Sequence, residues 1–266
     1  MELTIVGKKV YAYTAGRPLD PQRPSIVFVH GAANDHSAFL LQSRYFAYHG
    51  CNALAVDLPG HGRSGGSPLA TIAAIGDWLA AFLDATKIGE AALVGHSMGS
   101  LGSLECAARY PTRVSKLALI ATSAPMLVGE ALLSAAHADA HDAIDMLNIW
   151  GHSPSARLGG NTAPGMWMTG ANMRLLERAQ VGTLYIDLKA CNEYRDGPAT
   201  AAKVKCPVLF VLGSHDMLTP TRGARSLQST IPDAQTVILE GAGHALMTEQ
   251  PDAVLDALID FVVASP

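Results

Sequence analysis

Residues 93–99, Leu93-Val94-Gly95-His96-Ser97-Met98-Gly99, place the pattern G-x-S-x-G directly behind an apolar run and directly ahead of a segment with helical spacing. An apolar strand that meets a helix through two glycines must turn sharply, and glycine removes the Cβ that would block close backbone approach there. A serine at the centre of such a turn projects its hydroxyl from the sheet. The helix start behind it supplies unpaired N–H groups and the positive end of a dipole, which suit a developing negative charge. A helix cap would explain a serine in many glycine-rich turns; the strand before and the helix after make Ser97 a candidate nucleophile.

The same alternation of short apolar runs and helix-like segments continues on both sides of this turn. Leu3 to Val6 and Lys9 to Tyr13 flank Gly7 as an opening hairpin, followed by strands at Ser25 to Val29, Ala53 to Val56, Ala91 to Val94 and Lys116 to Ile120. Pro207 to Leu212 and Thr236 to Leu239 close the series. Helices are expected over Thr71 to Ala85, Ser97 to Arg109, Arg222 to Ser229 and Asp252 to Val263. This order predicts an α/β fold, with about eight mostly parallel strands and helices on both faces. The stretch 125–202 breaks the alternation. Rich in Ala, Met, Gly and His and without a convincing strand, it reads as a helical insertion into one domain whose core is 1–124 and 203–266.

Composition limits the function classes. Of 266 residues, 49% are hydrophobic and 16% charged, enough apolar surface for a sizeable core. A net charge of −4, with no Lys/Arg-rich run, argues against nucleic acid as a partner. No stretch approaches the roughly 18 apolar residues of a membrane-spanning helix, and Met1 to Val10 read as a strand and not a signal peptide. Cys51, Cys106, Cys191 and Cys206 lie far apart, as expected of reduced, mostly buried thiols in a cytoplasmic protein. The expected partner is a small molecule. Self-association is left open.

A serine hydroxyl is a poor nucleophile at neutral pH and needs a base, with a third group fixing the base's tautomer. His244, in Gly241-Ala242-Gly243-His244, follows the last strand; Asp216, in Gly213-Ser214-His215-Asp216, follows the one before. Both would emerge at the strand edge that carries Ser97. Their chain order, Ser then Asp then His, is the one expected of a nucleophile on such a turn. A further strand runs into a tight turn at Val29-His30-Gly31-Ala32-Ala33, where the N–H of Ala32 could join that of Met98 in an oxyanion hole.

With Asp57-Leu58-Pro59-Gly60-His61-Gly62-Arg63-Ser64 added to these motifs, the chain resembles the α/β-hydrolase superfamily over nearly its whole length, in the serine-nucleophile, esterase-like branch. The resemblance implies an eight-stranded sheet, a helical cap inserted after the sixth strand, and a covalent acyl-enzyme formed without a cofactor. A serine at the turn departs from the branches that use aspartate. Ala245 stands where many carbon–carbon bond hydrolases carry tryptophan, and Ala32 where perhydrolases often carry an aromatic residue. A small carboxylic ester or related acyl compound is the expected substrate, with a C–C (meta-cleavage-type) hydrolase or a lactonase as the alternative. The segment Asp57 to Ser64 reads as a structural turn.

Weaker signals complete the reading. His137 and His141 have a metal-binding spacing on a helix but lack the accompanying glutamate, so no metal is expected. His30, His36, His61, His96 and His215 read as structural or pocket-lining. Trp150, Met166, Trp167, Met168 and Met173 could form an apolar roof over the pocket, or the insertion's own core, and Lys189, Asn192 and Arg195 could meet a polar substrate group.

Overall fold

The apolar runs pair into one sheet of eight strands, β1 (Glu2–Ile5), β2 (Lys8–Tyr13), β3 (Ser25–Val29), β4 (Asn52–Val56), β5 (Ala91–His96), β6 (Val114–Ile120), β7 (Val208–Gly213) and β8 (Gln235–Leu239). The structure, a computed structural model, describes residues 1–160, 165–231 and 233–263. The spatial order is β1-β2-β4-β3-β5-β6-β7-β8. β1 and β2 are antiparallel, β2 runs antiparallel to β4, and every later pairing is parallel.

Period-two geometry splits each strand between two cores. Val27, Val29, Leu93 and Leu117 face α2 (Ile72–Ala85) and α3 (Met98–Arg109). Ile26, Phe28, Val94 and Ile120 face α1 (Leu40–Tyr48) and α12 (Pro251–Val262). Burial on both faces is why these strands read as continuous apolar runs. Thr71 caps α2 by accepting the Ala74 N–H at 3.2 Å, and Pro251 opens α12 where its missing N–H costs nothing.

Between β6 and β7 lie six helices and, among the described residues, no strand: α4 (Glu130–His137), α5 (His141–Gly151), α6 (Pro154–Arg157), α7 (Met168–Glu177), α8 (Thr183–Glu193) and α9 (Gly197–Ala201). Residues 161–164 of the expected insertion lie outside the described residues. Leu132, Ala136, Ala143 and Leu188 form a small separate core there, against which Ala32 and Trp150 pack.

Two elements differ from expectation. No helix is expected between β3 and β4, yet a 3-10 turn at His36–Phe39 runs into α1. Its inner face carries polar Gln42 and Ser43, and Gln42 Nε2 donates to the carbonyls of Met247 and Pro251 at 3.3 and 3.5 Å; that removes the apolar period. The helix expected over Arg222 to Ser229 is a 3-10 turn at Thr221–Ala224 followed by the short α10 (Arg225–Gln228). A last short helix, α11 (Leu246–Glu249), precedes α12. None of the described helices is long and apolar enough to cross a membrane.

Candidate active site

Ser97 links β5 to α3 with φ +52° and ψ −119°, a conformation rarely adopted by residues with a Cβ. The turn is possible because Gly95 and Gly99, two residues to either side, have no side chains. A Cβ on Gly95 would lie 2.3 Å from the Gly99 carbonyl oxygen, and one on Gly99 would lie 2.3 Å from that of Val29. The Ser97 N–H donates to the Ile120 carbonyl at 2.9 Å, which fixes the turn against β6.

Asp216 and His244 leave the C-terminal ends of β7 and β8, the edge at which β5 delivers Ser97. His244 Nδ1 lies 2.8 Å from Asp216 Oδ2. Asp216 accepts through Oδ1 from the N–H groups of Leu218 and Thr219, each at 2.8 Å, and through Oδ2 from the Thr219 hydroxyl at 2.7 Å. Burial would raise the Asp216 pKa, but the charge and hydrogen bond of His244, joined by the Thr219 donors, outweigh it and hold the carboxyl below its ordinary value. An ionised Asp216 can only accept, so Nδ1 of the ring carries a proton, and in the corresponding tautomer of the imidazole Nε2 is the acceptor.

The helices between β6 and β7 shape the loop that carries this histidine. The Gly151 carbonyl at the end of α5 accepts the N–H groups of His244 and Ala245 at 3.0 and 2.9 Å. Glu249 accepts from the Gly243 N–H at 3.1 Å and the Ser153 N–H at 3.3 Å. Beneath the ring, His96 Nε2 meets the His244 carbonyl at 3.0 Å and its Nδ1 has no partner among the described residues, so the tautomer is Nε2–H. Burial first, and the neighbouring His244 second, push the His96 pKa down to about 3.

Ser97, His244 and Ala32 all line one cavity of about 550 Å³. Its walls are mostly apolar, with Met126, Leu132, Leu147, Trp150 and Met168 among them. The Ala32 N–H has no hydrogen-bond acceptor among the described residues, nor does the Met98 N–H in the first turn of α3. The Met98 side chain itself is buried in the core. Ser97 Oγ makes no hydrogen bond to His244 among the described residues.

Several sequence expectations change at this point. Trp167 does not line the cavity: it is 71% exposed at the head of α7, with its ring folded against Gly170, while the next residue, Met168, turns inward. Met166 also lines the cavity, whereas Met173 does not. Lys189 pairs with Glu193, Arg195 with the carbonyls of Asn192 and Tyr194, and Asn192 with the Val128 N–H; none of the three reaches the cavity. His141 bonds Asp145 and Glu177, and His137 packs edge-on against Tyr185.

One set of metal-type ligand atoms, from Asp35, His36 and Asp57, falls within 4.8 Å among the described residues. Asp57 is already engaged: Oδ1 accepts from the His36 N–H and Nδ1 at 2.7 and 2.8 Å, and Oδ2 from the Arg63 N–H at 2.8 Å. The cluster joins the turns after β3 and β4 by hydrogen bonds, which leaves its oxygens poorly placed to ligate a cation. Thr219, Gly151 and Glu249 were not identifiable beforehand, because a threonine, a glycine carbonyl and a helical glutamate acquire these roles only through contacts distant in sequence.

The sequence model of the alpha/beta hydrolase family matches residues 26–257. The pimeloyl-[acyl-carrier protein] methyl ester esterase of Chromobacterium violaceum is 31% identical over 243 residues, 84% of this chain and 88% of that protein. The (E)-2-((N-methylformamido)methylene)succinate hydrolase of Acinetobacter baylyi is 23% identical over 250 residues, 91% of each. Among solved structures, the enol-lactonase from Burkholderia xenovorans superposes with a TM-score of 0.86 over 99% of this chain and 100% of that one, at 22% identity.

Proposed function

The chain belongs to the alpha/beta hydrolase family, and within that family we propose that it is a serine esterase acting on a small acyl ester through Ser97, His244 and Asp216. The observation that carries this reading is the 2.8 Å contact between His244 Nδ1 and Asp216 Oδ2 beside the cavity that Ser97 also lines. His244 Nε2 removes the Ser97 proton as Oγ attacks the ester carbonyl. The N–H groups of Ala32 and Met98 receive the negative charge that develops on the carbonyl oxygen. Collapse expels the alcohol, which takes its proton from the His244 imidazolium. Water, deprotonated by the same ring, then attacks the acyl-enzyme and frees Ser97.

The Ser97–His244 hydrogen bond closes when substrate enters, as such contacts commonly tighten in the Michaelis complex. The apolar walls favour hydrocarbon acyl or alcohol groups over charged ones. We place the enzyme in the cytoplasm, where its four free thiols would stay reduced.

Turnover of nitrophenyl esters tests the assignment. Ser97→Ala should lower kcat by about a millionfold and abolish labelling by a fluorophosphonate. Substantial activity in a clean preparation refutes the role of Ser97. A matched panel of ester, lactone and vinylogous diketone fixes the bond: a kcat/KM preference of about a hundredfold for the diketone would overturn the ester assignment.

A further inference from the structure

Beneath the Gly31–Ala33 loop lies a buried ion pair with no part in the chemistry above. Asp187, 1% exposed, comes from the inserted helix α8, and His61, 2% exposed, from the turn after β4. Asp187 Oδ2 meets His61 Nε2 at 2.8 Å and accepts the Ala33 N–H at 2.8 Å. His61 Nδ1 lies 3.0 Å from the Pro59 carbonyl. An acceptor at each ring nitrogen requires both N–H groups, so His61 is an imidazolium. Burial opposes that charge, but the carboxylate of Asp187 and the Pro59 carbonyl outweigh it and hold the His61 pKa above its ordinary value.

The adjoining His30 is the opposite case. Its Nδ1 meets the Gly31 carbonyl at 2.8 Å and its Nε2 accepts the Leu58 N–H at 3.1 Å, which is the neutral tautomer. Two charged rings 4.8 Å apart would repel; one charged and one neutral ring do not. Beneath the loop there is therefore one charged ring, paired with the Asp187 carboxylate, and one neutral ring.

Ala33 has φ +53°, in the left-handed region that favours glycine. Something must hold it there. A charge-assisted hydrogen bond in a dry site is stronger than a neutral one, and this one fixes the peptide plane between Ala32 and Ala33. The Asn34 N–H, bonded to the Gly31 carbonyl at 3.2 Å, closes the other side of the turn. Between these two restraints lies the N–H of Ala32, a residue that lines the cavity.

We propose that Asp187 is a positioning residue: clamped by the His61 imidazolium, its carboxylate holds the Ala33 N–H so that the Ala32 N–H is aimed at the oxyanion. The inserted helices thus complete the oxyanion site from outside the sheet. The inference rests on reading Ala32 as an oxyanion donor. Because a preorganised donor acts on charge that exists only in the transition state, its loss should appear in kcat and not in KM.

Two variants test it. Asp187→Asn removes the charge, and Asp187→Leu with His61→Phe replaces the pair by apolar groups of similar volume, an exchange that buried ion pairs often tolerate. Thermal melting identifies which of them folds. In a folded variant kcat should fall by roughly 10- to 100-fold while KM stays within about twofold. Affinity for phenylboronic acid, which forms a tetrahedral adduct on the serine, should fall by the same factor as kcat. A folded variant with wild-type kcat and wild-type boronate affinity overturns the role of Asp187. Wild-type protein that neither cleaves esters nor takes up the boronate would instead sink the esterase reading.

Discussion

Ser97 carries a backbone conformation that its own side chain opposes. A non-glycine residue at φ +52° and ψ −119° stores on the order of 1–3 kcal/mol, held by the packing of Gly95 and Gly99 and the bond to Ile120. Glycine at this position would release the strain but add about 0.5–1 kcal/mol of unfolded-state entropy, so the strain term wins. Ser97→Gly should therefore melt at a higher temperature than Ser97→Ala, both being inactive. Equal melting temperatures in calorimetry would mean the turn is unstrained.

At the scale of elements, parallel strands deliver three side chains to one edge, and the loops behind them need separate fastening. The histidine loop is fastened by the end of α5 and by α11. Glu249, on α11, is 5% exposed and accepts from the amides of Gly243 and Ser153. Glu249→Ala leaves both amides buried without this acceptor, at a cost of about 2–6 kcal/mol, since each orphaned donor loses its desolvation compensation. Urea titration should show that loss, and kcat should fall with it because the imidazole is no longer held. Unchanged stability would mean that water replaces the carboxylate. α1 escapes a periodicity reading because its buried Gln42 pays its polar cost through carbonyls about 205 residues away. Trp167 reads as a roof or inner-core residue because an aromatic beside methionines usually packs inward; the backbone at the start of α7 turns it out instead.

For the whole molecule, two buried histidines give stability opposite pH dependences. His96 is held neutral, with a pKa of about 3 against an ordinary 6.5, so the unfolded chain binds a proton that the folded one refuses across that interval. Its contribution is present near neutrality and declines as pH falls below about 6.5. His61, whose pKa is raised, contributes fully below its unfolded value and loses that contribution as pH rises through the folded one. Melting temperature should therefore fall from about pH 7 to about pH 4, and His96→Asn, which can still donate to the His244 carbonyl, should make that acid limb shallower, the remainder following His30, whose pKa burial lowers to about 4. An unchanged limb in the variant would locate acid sensitivity elsewhere.

The sequence by itself determined the sheet, the turn at Ser97, the positions of Asp216 and His244 at strand ends, and the helical character of the stretch after β6. These follow from local rules: apolar period, glycine in a tight turn, and chain order. Tertiary structure alone decided that Asp187 on α8 meets His61 and Ala33, that Gly151 and Glu249 grip the histidine loop, and that Met168 faces the cavity while Trp167 does not. Those contacts join residues from about 6 to 154 positions apart, and a lone aspartate, carbonyl or ring carries no local mark of its partner. Strand and turn preferences are properties of neighbours along the chain, whereas partners across the fold exist only once the chain has packed.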